Sequence, residues 1–364
     1  MLRVEEGKFE REKQNQIISG MTMNASEFET NHVKNSRMAK RHAPVIRKST
    51  DRRQHTVVSF FAGCGGLDLG FLGGVDYKDE PLPPQPFKII SAYDFEEKCV
   101  ETYRRNIGHH AEVMDLSIAR PEHLPIADVL IGGFPCQDFS ICGPRVGLSS
   151  ERGRLYLALV DYMKFHKPKV VVAENVSHLE KIGGGSVVKT IISDFESAGY
   201  HFELWKLFAP DYGVPQNRRR LFFIGVRNDI NGHPLIPAPT HEGNHRSVDW
   251  AINDLERIDG EFVPNHDQYF KASKAKNGGG QGDEICKQGL PSYTIRANSH
   301  SRIQFHYKLP RRLTVRECAR LQTFPDDFVF PFSTTVNMKQ IGNAVPPLLA
   351  SRVAKAIAEF MNKF

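Results

Sequence analysis

Short apolar runs alternate with amphipathic stretches over residues 56–226, and this alternation narrows the possible folds more than any other property of the chain. The apolar runs predict strands at Thr56–Phe61, Phe87–Tyr93, Asp128–Ile131, Lys169–Ala173 and Leu221–Val226. The amphipathic stretches predict helices at Gly66–Leu72, Glu96–Asn106 and Arg154–His166. Strands that are apolar along their whole length are typical of a sheet covered on both faces. The sequence therefore predicts an α/β fold with a doubly wound, mostly parallel sheet.

The remainder of the chain divides into segments around this sheet. Residues 1–54 lack hydrophobic periodicity and carry 12 Lys and Arg against 7 Asp and Glu, which predicts a basic, mobile arm. Val75–Pro86 contains four prolines and predicts a surface insertion. Periodicity decays after residue 226, resumes at Leu313–Leu321 and ends in a predicted helix, Pro346–Phe360. We therefore expect a main domain at 55–226, a smaller irregular domain at 227–334 and a C-terminal segment at 335–364 that returns to the main domain.

Charge and cysteine content limit the classes of function. The 364 residues carry a net charge of +6, and residues 268–312 alone carry 9 Lys and Arg against 2 Asp and Glu. Two basic zones on an otherwise acidic body favour a polyanionic partner, although a solvated basic face explains the charge equally well. No apolar run is long enough for a membrane span. Six scattered cysteines argue against a disulfide framework and a zinc site, so we expect reduced thiols, no metal and a cytoplasmic location.

A glycine-rich turn, Phe61-Ala62-Gly63-Cys64-Gly65-Gly66, follows the first predicted strand and opens a helix. Glycines there allow backbone N–H groups to approach a ligand, and a helix N-terminus favours negative charge. A dinucleotide fingerprint requires glycine at the position of Asp68, so a nicotinamide site is disfavoured. Asp94 follows the next strand and is placed to bind a ribose. Asp115, further along, is placed to bind an adenine amino group or to cap a turn.

Cys136 follows Gly132-Gly133-Phe134-Pro135 at the carboxyl end of a predicted strand. An isolated cysteine is usually a small buried hydrophobic residue. Ligands of open α/β sheets bind at the carboxyl ends of the strands, however, and a turn is not a packing face. The position therefore favours a nucleophilic thiolate, which requires nearby cations or N–H dipoles to lower its pKa.

Two further groups of polar residues fall at the same predicted edge. Glu174 closes the strand Lys169–Ala173, where desolvation favours a protonated carboxyl that can donate to a ring nitrogen. Alternation along the strand after Gln216-Asn217 sends Arg218 and Arg220 to one side and Arg219 to the other. A thiolate, a proton-donating carboxyl, paired arginines and a nucleoside pocket together fit attack on carbon 6 of a pyrimidine, with methylation at carbon 5.

From about Val57 to its C-terminus the chain resembles the bacterial DNA (cytosine-5-)-methyltransferases of restriction-modification systems. Six sequence blocks in the family's order carry the resemblance, namely Phe61–Gly66, Pro135-Cys136-Gln137, Glu174-Asn175-Val176, Gln216–Arg220, Arg312–Pro325 and Gln340–Pro346. The resemblance implies a Rossmann-like methyltransferase fold, with residues 227–334 as the target-recognition domain. It also implies S-adenosyl-L-methionine as the cofactor and double-stranded DNA as the substrate.

The resemblance assigns roles to individual positions. Cys136 corresponds to the covalent nucleophile and Glu174 to the group that contacts ring nitrogen 3. Arg220, with Arg218 beside it, corresponds to the residues that hold the cytosine carbonyl and order the site. The positions that correspond to cofactor contacts are Phe61, Ala62, Gly63, Cys64, Gly65, Gly66, Asp94, Phe95, Asp115, Leu116, Phe134, Pro135, Leu155 and Asn343.

The same resemblance describes how DNA is bound. The target base is rotated out of the helix, and the loop 137–152 closes over it, with Ser140 and Arg152 as phosphate contacts. The recognition domain is short, which favours a single compact target site. Its candidate phosphate or guanine contacts are Lys271, Lys274, Lys276, Arg296 and Arg302, with Gly278–Gly282 allowing close approach of backbone. A solvated loop charge explains any one of these residues equally well. We also expect a monomer near the nucleoid and a cognate restriction endonuclease as a functional partner.

Three other functions fit the sequence less well. Related RNA (tRNA) cytosine methyltransferases carry a Cys-Phe-Thr signature, whereas Cys286 precedes Lys287 and Gln288. Unrelated RNA enzymes place a second cysteine at the position of Glu174. A non-catalytic DNA-binding regulator has no need of Cys136, and a nicotinamide oxidoreductase is disfavoured by Asp68.

Overall fold

The computed structural model describes residues 46–48, 54–135, 155–256, 263–271, 284–297 and 303–363, all within one compact unit, Ala43–Phe364. Several predictions fall outside the described residues and stay predictions. They are the basic arm up to residue 45, Cys136, Ser140, Arg152, the loop that contains them, Lys274, Lys276, Gly278–Gly282 and Arg302.

A seven-stranded sheet has the strand order β5-β4-β1-β6-β7-β9-β8. Its strands are β1 His55–Phe60, β4 Phe87–Asp94, β5 Ala111–Val113, β6 Val129–Gly133, β7 Val170–Val176, β8 Tyr200–Phe208 and β9 Arg219–Arg227. Strand β9 runs antiparallel to both of its neighbours, β7 and β8, and the other strand pairs of this sheet are parallel. The prediction of a mostly parallel sheet is confirmed.

Helices cover both faces of this sheet. They are α1 Gly66–Leu72, α2 Glu97–Asn106, α3 Leu157–His166, α4 Ser186–Glu196, α5 Val248–Ile252, α6 Val315–Leu321, α7 Thr334–Asn343 and α8 Pro347–Met361. Alternate residues of β7 point to opposite sides: Val170 and Val172 pack in one core with α1 and α8, and Val171 and Ala173 in a second core with α3 and α4. The doubly wound architecture is therefore also confirmed.

Strand β1 is where the chain changes direction across the sheet. It pairs with β4 on one side and with β6 on the other, so the chain builds outward from β1 twice in opposite directions. Ligands of open α/β sheets bind outside the carboxyl ends of the strands at such a point. The glycine turn after β1 and the Phe134-Pro135 segment after β6 both lie at this edge.

The antiparallel direction of β9 brings its first residues to the same edge. Val176, the last residue of β7, pairs with Arg220 near the start of β9. An arginine at the beginning of an antiparallel strand therefore lies beside a glutamate at the end of a parallel one.

The prediction of a surface insertion at Val75–Pro86 is wrong. This segment forms a hairpin of β2 Val75–Tyr77 and β3 Glu80–Leu82, and the side chains of Val75, Tyr77 and Leu82 are buried in the core. The Tyr77 hydroxyl donates to the carbonyl of Arg320 in α6 at 2.7 Å. Pro81 lies within this two-stranded ribbon, where an edge position tolerates proline, and the other three prolines follow β3.

The region 227–334 is irregular but well packed where it is described. Val248, Ala251 and Phe324 lie in the same core cluster as β1 and α8. Helix α6 begins with a capping box, in which the Thr314 hydroxyl accepts from the Glu317 N–H and the Glu317 carboxylate accepts from the Thr314 N–H. A domain boundary at residue 227 stays a prediction. None of the helices in the described part of the chain has both the length and the apolar character that a transmembrane segment needs.

Candidate active site

The glycine turn after β1 has a constrained backbone. Phe61, Gly63 and Gly65 all adopt positive φ angles, of 53°, 55° and 91°. The Ala62 N–H donates to the Tyr93 carbonyl at 3.0 Å, and the Gly63 N–H donates to Asp94 Oδ2 at 2.8 Å. Left-handed backbone at a non-glycine residue such as Phe61 is strained and persists only where its surroundings enforce it. The turn is thus held in one shape by the end of β4.

The rim of this turn has the chemistry of a nucleoside pocket. Phe95, directly after Asp94, leaves 73% of its side chain exposed. Asp115 and Asn343 are also exposed, and bonds from the Ser117 hydroxyl and N–H to Asp115 Oδ1 lower the pKa of Asp115. An exposed aromatic face and carboxylates match a purine and a ribose. The donor set therefore fits the predicted cofactor.

Other predicted cofactor contacts are buried in the protein. Cys64 and Leu116 are buried, and burial raises the pKa of Cys64 to about 12, so this thiol is not a competing nucleophile. The Phe134 ring packs against Tyr156, Phe195 and Phe223. The Phe134 ring therefore belongs to the core, and a contact between Phe134 and the cofactor stays a prediction. Pro135 is exposed and Leu155 is half-buried, in the turn before α3.

Glu174 and Arg220 form a buried ion pair at the carboxyl edge of the sheet. Arg220 Nε lies 2.7 Å from Glu174 Oε1, and both side chains are about nine-tenths buried. Burial raises the pKa of Glu174, against the opposing charges of Arg220 and Arg218. Gly133 leaves room for this carboxyl, since a Cβ there would lie 3.3 Å from Glu174 Oε2. The predicted proton donor is thus held in place by an arginine.

Asn175 fixes the segment that leads to Cys136. Its Nδ2 donates to the Phe134 carbonyl at 3.0 Å, and the whole residue is buried. The Glu174-Asn175 pair therefore serves two purposes, because the first residue enters the site and the second holds the neighbouring strand end. Asn175 belongs to the block Glu174-Asn175-Val176, but its position in the sequence does not predict this contact.

Arg218 is fully buried and holds three segments together. Its guanidinium donates to the carbonyls of Ile295 at 3.0 Å, Gly342 at 2.9 Å and Ala344 at 2.9 Å. The predicted alternation is confirmed, since Arg218 and Arg220 are buried and Arg219 is exposed. Arg218 therefore fixes the positions of three segments beside the Glu174–Arg220 pair, and its predicted role in ordering the site stays a prediction.

A cleft of about 460 Å³ opens beside the ion pair. The described residues that line it include arginines, a histidine and small polar and apolar residues but no Asp or Glu, namely Val176, Ser177, His178, Arg219, Arg220, Thr294, Ile295, Arg296, Ala297, Gly342 and Asn343. Such a surface is suited to an anionic ligand. No group of three or more His, Cys, Asp or Glu in the described ranges is arranged to hold a metal ion.

Comparison with known proteins gives the family. A family model for the C-5 cytosine-specific DNA methylases matches residues 55–279 and 263–359. The chain belongs to this family. Type II methyltransferase M.BspRI of Lysinibacillus sphaericus is 35% identical over 348 residues, spanning 84% of this chain and 81% of the relative. Type II methyltransferase M.NgoFVII of Neisseria gonorrhoeae is 34% identical over 331 residues, spanning 83% and 86%.

Solved structures agree on the fold. The Entamoeba histolytica methyltransferase EhMeth is 16% identical, with a TM-score of 0.66 over 85% of this chain and 99% of that one. The S. pombe Dnmt2 methyltransferase is 18% identical, with a TM-score of 0.63 over 85% and 99%. The predicted methyltransferase fold is therefore confirmed, and the chain is an enzyme of the C-5 cytosine-specific DNA methylase class.

Among the predicted DNA contacts of this methylase, two are described. Arg296 lies on the cleft, whereas Lys271 is exposed and is not among the residues that line it. Sequence analysis missed Arg219 and His178, which also line the cleft. The Arg219 guanidinium lies 4.2 Å from the centre of the Phe208 ring, a cation–π contact that holds it in place. In the sequence, the run Arg218-Arg219-Arg220 is the signal that points to Arg219, whose side chain was predicted to point away from the site.

Sequence analysis also missed the part that two glutamines play in this methylase. Gln216 Nε2 donates to Gln322 Oε1 at 2.6 Å, and Gln322 Nε2 donates to the Ala344 carbonyl at 2.6 Å. Gln216 Oε1 accepts from the Ile295 N–H at 2.9 Å. These bonds join the last three of the six sequence blocks. Much of what makes those blocks recognisable is therefore packing around the cleft.

Proposed function

We propose that this enzyme methylates carbon 5 of cytosine in double-stranded DNA, using S-adenosyl-L-methionine, with the target base rotated out of the helix and covalently bound to Cys136. The observation that carries the proposal is the Glu174–Arg220 pair, a buried carboxyl held at 2.7 Å by an arginine at the edge where Cys136 follows Pro135. A pyrimidine needs such a pair, because its ring nitrogen and its carbonyl both gain electron density during nucleophilic attack.

The proposed chemistry assigns each step to a residue. The Cys136 thiolate adds to carbon 6 of the cytosine, and the Glu174 carboxyl donates a proton to nitrogen 3 as the ring loses its aromatic character. Arg220 stabilises the charge on the carbonyl oxygen. Carbon 5 becomes nucleophilic and takes a methyl group, which S-adenosyl-L-methionine supplies. Loss of the carbon 5 proton to solvent, return of the nitrogen 3 proton to the Glu174 carboxylate and departure of the thiolate restore the aromatic ring.

Several residues of the chain would hold the cofactor. The glycine turn follows β1, Asp94 ends β4 and Asp115 follows β5, so all three lie at the carboxyl ends of neighbouring strands. Asp94 already accepts the Gly63 and Glu96 N–H groups, so its carboxylate is fixed against the turn. The exposed Phe95 offers an aromatic face. Burial beneath a bound ligand would exclude water from this group of residues.

The cleft beside the Glu174–Arg220 pair supports DNA as the substrate. Arg219, Arg296 and His178 line it. Arginines on a concave surface favour phosphate groups, and carbon 6 of a stacked base is inaccessible, so the base must leave the helix. The Type II names of the relatives support a role in protecting DNA from a cognate restriction endonuclease. We also propose that the enzyme acts as a monomer.

A duplex in which 5-fluorocytosine replaces cytosine tests the covalent step. Fluorine at carbon 5 cannot leave as a proton does, so the adduct persists after methyl transfer. We expect a denaturant-resistant protein–DNA adduct that mass spectrometry maps to Cys136 and that Cys136→Ser abolishes. Cys99→Ser, at a half-buried cysteine in the first turn of α2, is the matched control and retains the adduct. Methylation without any adduct, or an adduct on a different cysteine, would contradict the mechanism.

A further inference from the structure

A buried carboxyl lies beneath the glycine turn and has no part in the chemistry described above. Asp68, in the first turn of α1, is fully buried. Its Oδ2 accepts a hydrogen bond from the Ser59 hydroxyl at 3.0 Å, and its Oδ1 accepts one from the Tyr103 hydroxyl at 3.0 Å. Ser59 and Tyr103 are themselves fully buried.

This carboxyl joins three elements around the turn. Ser59 lies in β1, just before the turn, Asp68 lies in α1, just after it, and Tyr103 lies in α2. The Tyr103 ring also packs against the turn, since a Cβ on Gly65 would lie 2.8 Å from its Cδ2 atom. The two oxygens of Asp68 therefore tie both ends of the left-handed stretch Phe61–Gly65 to the helix that supports it.

The carboxyl is costly to bury, which argues against a role in packing alone. No lysine or arginine of the described residues forms an ion pair with Asp68, and its two partners are neutral hydroxyls. Burial raises the pKa of Asp68 to about 7, with the Ser59 and Tyr103 hydroxyls acting in the opposite direction. An amide or an apolar residue would fill the same space at lower cost. A carboxylate differs from both in accepting hydrogen bonds through two oxygens at once.

The ionisable groups around Asp68 come from every adjacent element. Asp94 after β4 and Cys64 within the turn interact with it electrostatically. The Tyr103 hydroxyl lies 3.0 Å from His110 Nε2. Because that hydroxyl gives its hydrogen to Asp68, His110 must donate through Nε2, and burial lowers the pKa of His110. The chain His110, Tyr103 and Asp68 is thus polarised toward the carboxylate.

We propose that Asp68 is a positioning residue for the cofactor, and that it holds the glycine turn in its strained, ligand-ready shape by accepting from Ser59 and Tyr103 together. The proposal rests on S-adenosyl-L-methionine being the cofactor. Protonation removes one of the two acceptor oxygens, so the turn loosens and cofactor affinity falls as the carboxyl takes up a proton below neutral pH.

The test is binding of S-adenosylhomocysteine to the full-length protein by calorimetry from pH 6 to pH 8, with Asp68→Asn as the main variant. An amide oxygen accepts from only one of the two hydroxyls, so we expect affinity at pH 8 to fall at least tenfold. The wild-type loss of affinity between pH 8 and pH 6 should disappear in the variant. Affinity within twofold of the wild type at every pH would overturn the proposal.

A matched control separates positioning from general damage. Asp128 also bonds to β1, through the Thr56 N–H and hydroxyl, but from the amino end of the strands. Asp128→Asn should leave affinity for S-adenosylhomocysteine unchanged. If Asp68→Asn does not fold, Ser59→Ala and Tyr103→Phe each remove one of the two bonds and should each weaken binding; normal binding by both would overturn the proposal.

Hydrogen exchange distinguishes failure of this proposal from failure of the cofactor assignment. Amides of the peptide 59–69 in the ligand-free protein should exchange faster in Asp68→Asn than in the wild type and in Asp128→Asn. Faster exchange with no binding of S-adenosylhomocysteine by the wild type would uphold the positioning role and refute the cofactor. Unchanged exchange in Asp68→Asn would refute the positioning role, whatever the ligand.

Discussion

At the residue scale, the proposed activation of the cytosine depends on two side chains, the Glu174 carboxyl and the Arg220 guanidinium. Burial favours the protonated carboxyl, while the arginine 2.7 Å away favours the carboxylate, and burial prevails, so that the pKa of Glu174 is raised. A raised pKa means that Glu174 loses its proton at a higher pH than an exposed glutamate does. Arg220 therefore orients the carboxyl, and burial favours the protonated form that can donate.

Glu174→Gln should separate proton transfer from hydrogen bonding. The amide still donates a hydrogen bond to a ring nitrogen, but it cannot transfer a proton, so we expect kcat to fall by about 10²–10⁴. The loss of activity that accompanies ionisation of Glu174 at higher pH should vanish in the variant. The measurement is a pH profile of single-turnover methylation. A profile and rate like those of the wild type would show that Glu174 is not the acid.

Arg219 gives a prediction about DNA binding. Its guanidinium is exposed at the cleft beside the Glu174–Arg220 pair and packs on the Phe208 ring. We therefore expect Arg219→Met to weaken DNA binding without changing the cofactor affinity. If Arg219 neutralises one phosphate, the slope of log affinity against log salt should fall by about 1. Fluorescence anisotropy across a salt series measures this slope. An unchanged slope would place Arg219 off the DNA path.

Local sequence predicts some of these residues and not others, for a physical reason. Glu174 and Arg220 end and begin apolar runs, so their position at the sheet edge follows from strand polarity. The part played by Arg218 does not follow in this way, because its carbonyl partners Ile295 and Gly342 lie 77 and 124 residues away. Asp68 shows the same limit, since its position in α1 says nothing about Tyr103, 35 residues on.

At the scale of elements, the buried parallel strands are the predictable part of the fold. Their continuous apolar runs mark β1, β4, β6, β7 and β9. Strand β8 was missed because it lies at the sheet edge and alternates buried and exposed residues, as in Tyr200 and His201. The β2–β3 hairpin was misread because its prolines outweighed the buried Val75 and Tyr77.

Arg218 links these elements, and its loss should be measurable as stability. Arg218→Met leaves the carbonyls of Ile295, Gly342 and Ala344 without a donor, so we expect the free energy of unfolding to fall by about 3 kcal/mol or more. Arg219→Met, at the next position but exposed, should change it by about 0.5 kcal/mol or less. Thermal or urea unfolding of the two variants makes the comparison. Equal stability would show that the three carbonyls find other donors.

At the scale of the whole molecule, one core connects regions that the sequence separates. Buried residues from 248–252 and 313–330 pack in the cluster that contains β1 and the C-terminal helix α8. Sequence periodicity cannot reveal this, because the cluster joins β1 to segments about 190 and 250 residues further along the chain, and the intervening stretch is irregular. The consequence for function is that the cleft has walls from both halves of the chain, which Arg218 and the two glutamines hold together.

The most direct test of the whole account is to follow the methyl group. The purified protein is incubated with S-adenosyl-L-methionine labelled in its methyl group, with unmethylated genomic DNA and with tRNA in parallel, and modified bases are mapped by sequencing. We predict label at carbon 5 of cytosine, within one short motif of duplex DNA, and none with Cys136→Ser. Label confined to tRNA, on a different atom of DNA, or retained in full by Cys136→Ser would contradict the account.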